Sequence, residues 1–214
     1  MSAAARALAT LMAGERPAEE GLLHTARLEG WGSLAYGEEA VLAAVRRAPA
    51  GESNWDVVGS ANVVAMFGDD LALFADVTEG RLRRVWRLGP GPCLPRESAV
   101  FVAFDPDMNQ ARGDVFGDPD NPDHEAIAVA GTMILREVGG FRIRAFPIRT
   151  IRSGDDLAIL FAIYRLGDGP ARSCGFSYAA ARLRLQDGAI VSSRIVRDAA
   201  GEAAVAEQPM LPRI

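Results

Sequence analysis

The stretch Gly68-Asp69-Asp70-Leu71-Ala72 recurs as Gly154-Asp155-Asp156-Leu157-Ala158, displaced by 86 positions. Two further blocks align at the same displacement, Glu39-Ala40-Val41 with Glu125-Ala126-Ile127 and Trp55 with Phe141. One offset shared by three separated blocks is harder to obtain by chance than a single repeated pentapeptide. The sequence therefore predicts one structural unit used twice, which specifies an architecture and leaves the chemistry open.

Two observations weaken the case for duplication. Gly-Asp-Asp between two apolar runs is a favourable hairpin turn, so two unrelated hairpins can converge on it. A second alignment, of Val85-Trp86-Arg87-Leu88-Gly89 with Ile163-Tyr164-Arg165-Leu166-Gly167, has a displacement of 78. The two displacements are compatible only if one copy carries an insertion or a deletion.

Composition is that of an ordinary globular protein with a substantial core. The chain has 214 residues, of which 49% are hydrophobic and 24% charged. Its formal charge of −5 disfavours nucleic acid as a partner, because phosphate binding needs a basic face. No apolar run reaches the roughly 18 residues of a membrane span. Arg6 interrupts the alanine-rich start and Glu15 follows, which disfavours a secretory signal and favours a cytoplasmic location.

Reactive side chains are few. All 23 basic residues are arginine, which excludes lysine Schiff-base chemistry, pyridoxal attachment and a lysine-containing phosphate-binding loop. Cys93 and Cys174 are too far apart in sequence for a Cys-x-x-Cys pair or a zinc knuckle, and we expect free thiols. His24 and His124 are the only histidines, so a three-histidine metal site is impossible. The sequence thus predicts no cofactor and no metal.

Helices and antiparallel strands are predicted in both halves. Patterns of period 3.6 predict helices over Ala3–Met12, Glu19–Leu28, Gly37–Arg47 and His124–Arg136. Patterns of period two predict strands over Trp55–Phe67, Leu71–Val77, Arg81–Leu88, Ala99–Phe104, Phe141–Arg152, Leu157–Leu166, Phe176–Leu185 and Ala189–Val196. The proline-rich stretch Gly89–Glu97 is the predicted linker between a domain at 1–92 and a domain at 93–214.

Three features of these strands are predicted in more detail. In Arg81–Leu88 the even-numbered residues are expected to be buried and the odd-numbered ones exposed. Near Pro147 the apolar phase slips by one residue, which predicts a bulge because proline cannot donate to a ladder. The strands after Gly139 are rich in arginine, whereas the loop Asp105–Asp123 is acidic. We expect these two surfaces to pair within one chain or across a homodimer.

The order of the predicted elements carries a family resemblance. Helices, the segment Gly30-Trp31-Gly32 and a further helix precede long antiparallel strands, and Phe176–Ile195 forms the last pair around the turn Asp187-Gly188-Ala189-Ile190. This order resembles the nuclear transport factor 2-like (SnoaL-like) superfamily, whose domains close with such a hairpin. The resemblance implies an α+β fold with helices packed on curved antiparallel sheets, here as two related cystatin-like units. Each unit would be a cone that opens to an apolar pocket.

The resemblance leaves two classes of function open. Many members of the superfamily are binding or dimerisation modules, and others isomerise, cyclise or hydrolyse small molecules. Because reactive residues are few, we expect a noncatalytic module that holds a small apolar ligand or forms a homodimer. The alternative is a cofactor-independent isomerase, cyclase or hydrolase that uses an apolar pocket. No catalytic motif of the superfamily maps onto this chain, so no catalytic residue is assigned.

Seven residues are candidates for the wall of such a pocket. His24, on the second predicted helix, is a general-base candidate or a surface histidine. Tyr36 is a hydrogen-bond donor to a ligand or a rim aromatic. Asp76 is the best acid candidate, because an inward carboxylate would be desolvated; facing outward, it would pair with Arg83 or Arg84. The remaining candidates are aromatic residues with plain core packing as the alternative: Trp31, Trp86, Tyr164 and Tyr178.

Overall fold

A computed structural model describes residues 1–18, 21–30, 33–47, 49–50, 54–90, 120–138, 143–165 and 177–198. In these residues the chain is a mixed α+β protein with three helices and two curved sheets. The helices are α1 (Ala3–Met12), α2 (Glu38–Arg47) and α3 (His124–Val138). The strands are β1 (Leu22–Gly30), β2 (Ser33–Tyr36), β3 (Asp56–Gly59), β4 (Val63–Phe67), β5 (Ala72–Thr78), β6 (Arg81–Leu88), β7 (Ile143–Ser153), β8 (Asp156–Arg165), β9 (Ser177–Gln186) and β10 (Ala189–Arg197).

The strands form two separate hydrogen-bonded sheets. Sheet A has the order β2-β1-β6-β5-β4-β3, and sheet B has the order β10-β9-β8-β7. All neighbouring strands are antiparallel except β1 and β6, which are parallel. Sheet A is therefore built from the first half of the chain and sheet B from the second half.

The sheets pack face to face, and helices cover their outer faces. On sheet A, α1 contributes Leu8 and Leu11 and α2 contributes Leu42 to a core with strand residues such as Leu73. On sheet B, α3 contributes residues such as Ile134 to a second core. The layers thus follow the order helices, sheet A, sheet B, helix. This arrangement buries both faces of the central strands such as β5, β6 and β8, whereas the edge strands β3 and β10 are largely exposed.

The layer between the sheets has an aromatic core, which we call the inter-sheet core. Sheet A contributes Phe67, Phe74 and Trp86, each at most 1% exposed, and sheet B contributes Phe146 and Leu160. The rings of Phe67 and Phe74 meet edge to face, with centroids 5.9 Å apart. Each such side chain stabilises the fold by about 1.5–3 kcal/mol through burial. The inter-sheet core is therefore a major source of attraction between the two halves.

Elements with strong local signals form where the sequence predicts them. The predicted helix at Ala3–Met12 is confirmed, and the Ser2 hydroxyl caps it by accepting a hydrogen bond from the Ala5 amide at 3.2 Å. The predicted turn between the last two strands is also confirmed. Its residues Asp187 and Gly188 have φ of 51° and 81°, as a two-residue hairpin turn requires.

The helix predicted over Glu19–Leu28 is wrong. From Leu22 onward the chain is strand β1, which pairs in parallel with β6 and antiparallel with β2. Leu22, Ala26 and Leu28 are buried against the helices. Residues four apart satisfy a helical repeat and also lie on one face of a strand, so the pattern fits both structures. Pairing with β6 decides in favour of the strand, because tertiary contacts override local propensity.

The single strand predicted over Trp55–Phe67 is two strands, β3 and β4, which pair with each other. A tight turn at 60–62 separates them. The Ser60 amide donates to the Val63 carbonyl at 2.8 Å, and the Ser60 hydroxyl oxygen accepts from the amides of Asn62 and Val63 at 3.4 and 3.3 Å. Serine and asparagine bond their own backbone in this way, which interrupts the strand.

The alternation predicted for Arg81–Leu88 is also wrong, since both faces of β6 are buried. Leu82 and Val85 lie in the core under the helices, while Trp86 and Leu88 lie in the inter-sheet core. In the pairing of β5 with β6, a register shift gives β6 one extra residue after Leu82. The alternation between the two faces therefore reverses beyond that point. Arg87 is only 5% exposed, and burial lowers its pKa to about 10, so it remains charged at neutral pH.

The bulge predicted near Pro147 is confirmed by a register shift between Pro147 and Arg149 in the pairing of β7 with β8. Gly68 and Gly154, from the repeated pentapeptide, both lie in hairpin turns of two successive strands, between β4 and β5 and between β7 and β8. Most of the linker, the strand Ala99–Phe104 and most of the acidic loop lie outside the described residues. The division into domains at 92 and 93 stays a prediction.

Candidate functional site

Charged residues flank the inter-sheet core at both of its ends. Along β9, Tyr178 lies at one end, Ala180 in the core, and Arg182 and Arg184 at the other end. Successive strand residues alternate between faces, so these even-numbered residues share the face that looks toward sheet A. We call the first end the closed end; it comprises Glu29, Asp76, Arg84, Trp86, Arg149 and Tyr178. The second end is an open groove.

Glu29 is the most buried carboxylate of the closed end, with an exposure of 5%. One of its oxygens accepts a hydrogen bond from Arg84 Nε at 2.7 Å and lies 3.1 Å from Arg27 Nε. The other oxygen accepts a hydrogen bond from the Tyr178 hydroxyl. Two donors therefore come from sheet A and one from sheet B. A buried carboxylate needs such partners, because an unpaired one would be strongly destabilising.

These partners keep Glu29 ionised. Burial acts to raise its pKa, but the charges of Arg84 and Arg27 and the hydrogen bonds from Arg84 and Tyr178 outweigh burial. The pKa of Glu29 is therefore below the ordinary value for glutamate. At neutral pH this group is a charged acceptor rather than a proton donor.

Asp76 forms the second pair between the sheets. Arg149 of sheet B binds it through both fork nitrogens, Nε to Oδ1 at 2.6 Å and Nη2 to Oδ2 at 2.7 Å. The guanidinium carbons of Arg84 and Arg149 lie 4.4 and 5.2 Å from the centroid of the Trp86 ring. Both contacts are within cation–π range. The closed end is thus an array of paired charges around one tryptophan.

Three of the predicted site residues, Asp76, Trp86 and Tyr178, come together at the closed end. Asp76 binds Arg149 of the other sheet, and Arg84, one of its two expected partners, lies directly opposite it on β6. Trp86 and Tyr178 are 0% and 4% exposed, so they pack in the core rather than line an accessible pocket. Trp86 Nε1 is buried and has no hydrogen-bond partner among the described residues.

Of the other four predicted residues, only Tyr36 has a described side chain, and it lies apart from the closed end. Tyr36 is 59% exposed on β2, and β1 and β6 separate it from Asp76. Three strand spacings correspond to about 14 Å. His24 lies on strand β1 rather than on the predicted helix, and Tyr164 lies on β8; the side chains of both are outside the described set. Trp31 also lies outside the described residues.

Sequence reasoning missed Glu29, Arg149 and the arginines of β9. Glu29 follows the apolar residues of β1, a position that the predicted helix placed beyond its end. Its partner Tyr178 is 149 residues away in sequence. For β9, however, the sequence Arg182-Leu183-Arg184-Leu185 contains a usable signal. A period of two places both arginines on one face of a strand.

The open groove between the sheets has a volume of about 310 Å³. It is lined by Asp56, Asp156, Arg182, Arg184, Ser192, Ser193 and Arg194. Arg182 bridges two of these residues: Nη1 donates to Asp56 of sheet A, and Nη2 donates to Asp156 at 3.1 Å. The charge of Arg182 is therefore neutralised by the two carboxylates of the lining.

The other two arginines of the groove are neutralised less completely by carboxylates than Arg182 is. Arg194 Nη2 donates to the Asp69 main-chain carbonyl and lies 3.8 Å from the exposed Asp69 carboxylate. Arg184 is exposed and lies between Asp156 on β8 and Ser192 on β10 in the strand registers. No side chain among the described residues forms an ion pair or hydrogen bond with the Arg184 guanidinium. The groove thus carries more positive than negative charge.

Two kinds of feature are absent from the described residues. No group of three or more histidine, cysteine, aspartate or glutamate side chains is placed to hold a metal ion in this part of the chain. No described helix combines the length and apolar character needed to cross a membrane.

Comparison with protein-family models, with curated proteins and with solved structures finds no match to this chain. The geometry of the closed end and of the groove is therefore the basis for inferring the function.

Proposed function

We propose that the chain is a noncatalytic ligand-binding module whose binding site is the groove at the open end of the inter-sheet layer. The observation that carries the proposal is the concave groove of about 310 Å³, in which the Asp56 carboxylate of sheet A meets guanidinium, carboxylate and hydroxyl groups of sheet B. Such a volume lies at the lower end of those of small-molecule sites. The module would hold a small polar ligand.

The closed end supports a structural role rather than catalysis. Glu29 and Asp76 are paired with arginines of their surroundings, and both pairs connect to the opposite sheet. Catalytic acids and bases generally have a pKa shifted toward neutrality, whereas the pKa of Glu29 moves in the opposite direction. Tyr36, the candidate hydrogen-bond donor to a ligand, is three strands away from Asp76. These contacts favour binding over isomerase, cyclase or hydrolase activity.

The lining also bears on the kind of ligand. An apolar ligand would leave the charged groups of the groove desolvated without new partners, which is unfavourable. A polar ligand can replace the water that these groups lose. The groove therefore supports a polar ligand in place of the apolar one suggested by the family resemblance.

A blocking variant tests the proposal. Ser192 is exposed on the edge strand β10, so Ser192→Trp is expected to fill the groove without changing its charge. Thr150→Trp, on an exposed position of the edge strand β7, is the matched control. Unfolding temperatures are measured with inorganic phosphate, succinate, glucose and indole. We expect at least one compound to stabilise the wild type and Thr150→Trp, but not Ser192→Trp.

The same samples test whether the binding is noncatalytic. After overnight incubation, the proton NMR spectrum of the stabilising compound is expected to be unchanged. New product signals that depend on the protein would overturn the noncatalytic assignment. Stabilisation that survives Ser192→Trp, or no stabilisation by any of the four compounds, would overturn the groove as the binding site.

We also propose that the two halves are related units of the cystatin-like, nuclear transport factor 2-like type. What supports this is the parallel order of elements: α2 precedes β3 to β6, and α3 precedes β7 to β10. The displacement of 86 aligns the hairpins that contain Gly68 and Gly154. Neither displacement fits this order without an insertion or a deletion: 86 places β4 opposite β7, and 78 places β6 opposite the end of β8.

Homodimer formation is a second candidate function, favoured by one observation. In the described structure β10 is an edge strand of sheet B, and its residue Val191 is 54% exposed. Edge strands with exposed apolar residues readily pair with another chain. Analytical ultracentrifugation is expected to show a dimer for the wild type and a monomer for Val191→Lys. A monomeric wild type would contradict it.

A further inference from the structure

We infer that the groove binds the oxyanion group of a small organic acid or phosphate, held by the guanidinium groups of Arg184 and Arg194 and by the Ser192 hydroxyl. The inference rests on the proposed function, because it takes the groove as the ligand site. It adds the chemical class of the ligand and the residues that select it.

The distribution of charge in the groove favours an anionic ligand. Its lining contains three arginines and two aspartates, in a chain whose overall charge is −5. Both aspartates bind Arg182. Arg184 and Arg194, which have weaker carboxylate partners than Arg182, therefore carry the positive charge that would attract an anion.

The strand register places three donors close together. Ser192 is directly opposite Arg184, and Arg194 follows Ser192 by two residues on the same strand. Opposite residues are about 5 Å apart and diagonal ones about 7–8 Å apart, so both guanidinium groups can reach one ligand. A guanidinium presents paired donors that match two oxygens of a carboxylate or phosphate. The serine hydroxyl adds a further donor.

The surroundings favour a small anion over a polyanion. Asp69, fully exposed, lies beside Arg194, and Asp156 lies directly opposite Arg184 in the strand register. An extended polyanion would pass close to these carboxylates and be repelled. A compact ligand with one or two oxyanion groups meets less of that repulsion, because it carries fewer charges.

Calorimetric titration at constant ionic strength tests the inference. Succinate and inorganic phosphate are the probes, and succinamide is the neutral analogue of succinate. The variants are Arg184→Gln, Arg184→Lys and Ser192→Ala. Arg83→Gln, which removes an exposed arginine from β6 outside the groove, is the matched control. Because Arg184 is exposed, its variants are expected to unfold at the wild-type temperature.

We expect succinate or phosphate to bind wild type and Arg83→Gln equally, and Arg184→Gln at least tenfold more weakly. Arg184→Lys is expected to be intermediate, because it keeps the charge but loses the paired donors. The anion with the lower Kd identifies the ligand as a carboxylate or a phosphate. Equal binding by Arg184→Gln and Arg83→Gln, or equal binding of succinamide and succinate, would overturn the inference.

Failure of this inference is distinguishable from failure of the proposed function. A neutral compound that stabilises the wild type and is blocked by Ser192→Trp would leave the groove as the binding site and eliminate the oxyanion. Binding of succinate or phosphate that Ser192→Trp does not affect would eliminate both.

Discussion

The Tyr178 hydroxyl, on sheet B, donates a hydrogen bond to the Glu29 carboxylate on sheet A. Tyr178 is 4% exposed and Glu29 is 5% exposed, so water provides little alternative solvation for either group. The bond couples the packing of the two sheets to the solvation of one buried charge. A change in either residue is therefore expected to act on the stability of the whole fold.

Tyr178→Phe removes this donor while it retains the ring in the inter-sheet core. We expect the free energy of unfolding to fall by about 1–3 kcal/mol, because a buried acceptor loses a partner. Urea denaturation followed by circular dichroism measures the change. Tyr36→Phe, which removes the hydroxyl of an exposed tyrosine, is the control and should have a smaller effect. Equal effects of the two substitutions would contradict the closed-end assignment.

Glu29→Gln leaves Arg84 and Arg27 facing a neutral amide. We expect a loss of about 3–5 kcal/mol in the free energy of unfolding at pH 7, as for other buried pairs that lose one partner. The loss is expected to depend on pH. The folded pKa of Glu29 is below its unfolded value of about 4.5, so its stabilising contribution is fully present above that value. The contribution is lost as the pH falls through the folded pKa.

Denaturation of wild type and Glu29→Gln between pH 7 and pH 3 checks this sign. The stability difference should be constant down to about pH 5 and shrink at lower pH. Glu137→Gln, on an exposed position of α3, is the control and should follow the wild type throughout. A difference that grows as the pH falls would mean that the folded pKa of Glu29 is raised.

The pair of Asp76 and Arg149 is suited to a double-mutant cycle. Their side chains are 15% and 20% exposed and form two parallel hydrogen bonds. We expect a coupling energy of about 1–3 kcal/mol between Asp76→Asn and Arg149→Gln. The exposed pair of Arg16 and Glu39 is the control, and no coupling is expected there. Similar coupling in both pairs would contradict the proposed tie between the sheets.

Elements whose signals are local could be predicted from the sequence. The helix at Ala3–Met12 has an apolar face and a serine cap, and the turn at Asp187 and Gly188 has residues that accept positive φ. The bulge near Pro147 follows from a proline and a phase slip within a few residues. In each case the deciding interaction involves residues that are close together in the sequence.

Features decided by distant contacts could not be predicted. Leu22, Ala26 and Leu28 have a spacing that fits a helix and a strand, and only the pairing of β1 with β6 distinguishes them. The burial of Arg87 follows from coverage of both faces of sheet A. The closed end depends on partners 73 and 149 residues apart, so Asp76 and Tyr178 could be named as candidates without their partners.

Gly89→Ala tests the contact between the end of β6 and the repeated Gly-Asp-Asp turn. Gly89 has a φ of +122°, and an added Cβ would lie 2.3 Å from the Asp70 carbonyl oxygen. Backbone strain and the clash with main-chain atoms are expected to reduce the free energy of unfolding by more than about 3 kcal/mol. Gly80→Ala is the matched control, because Gly80 has a φ of +79° and no described atom within 4 Å of the added carbon. At Gly80 only backbone strain applies, and it should reduce the free energy of unfolding by about 1–2 kcal/mol.

Gly89→Ala also links the turn to the groove. Movement of Asp70 is expected to displace the neighbouring Asp69, whose carbonyl accepts a hydrogen bond from Arg194. Gly89→Ala should therefore weaken succinate or phosphate binding in addition to destabilising the fold, whereas Gly80→Ala should leave binding unchanged. Urea denaturation and calorimetric titration measure the two effects separately. If Gly89→Ala and Gly80→Ala reduce the free energy of unfolding equally, the close approach of Gly89 to Asp70 does not constrain this turn.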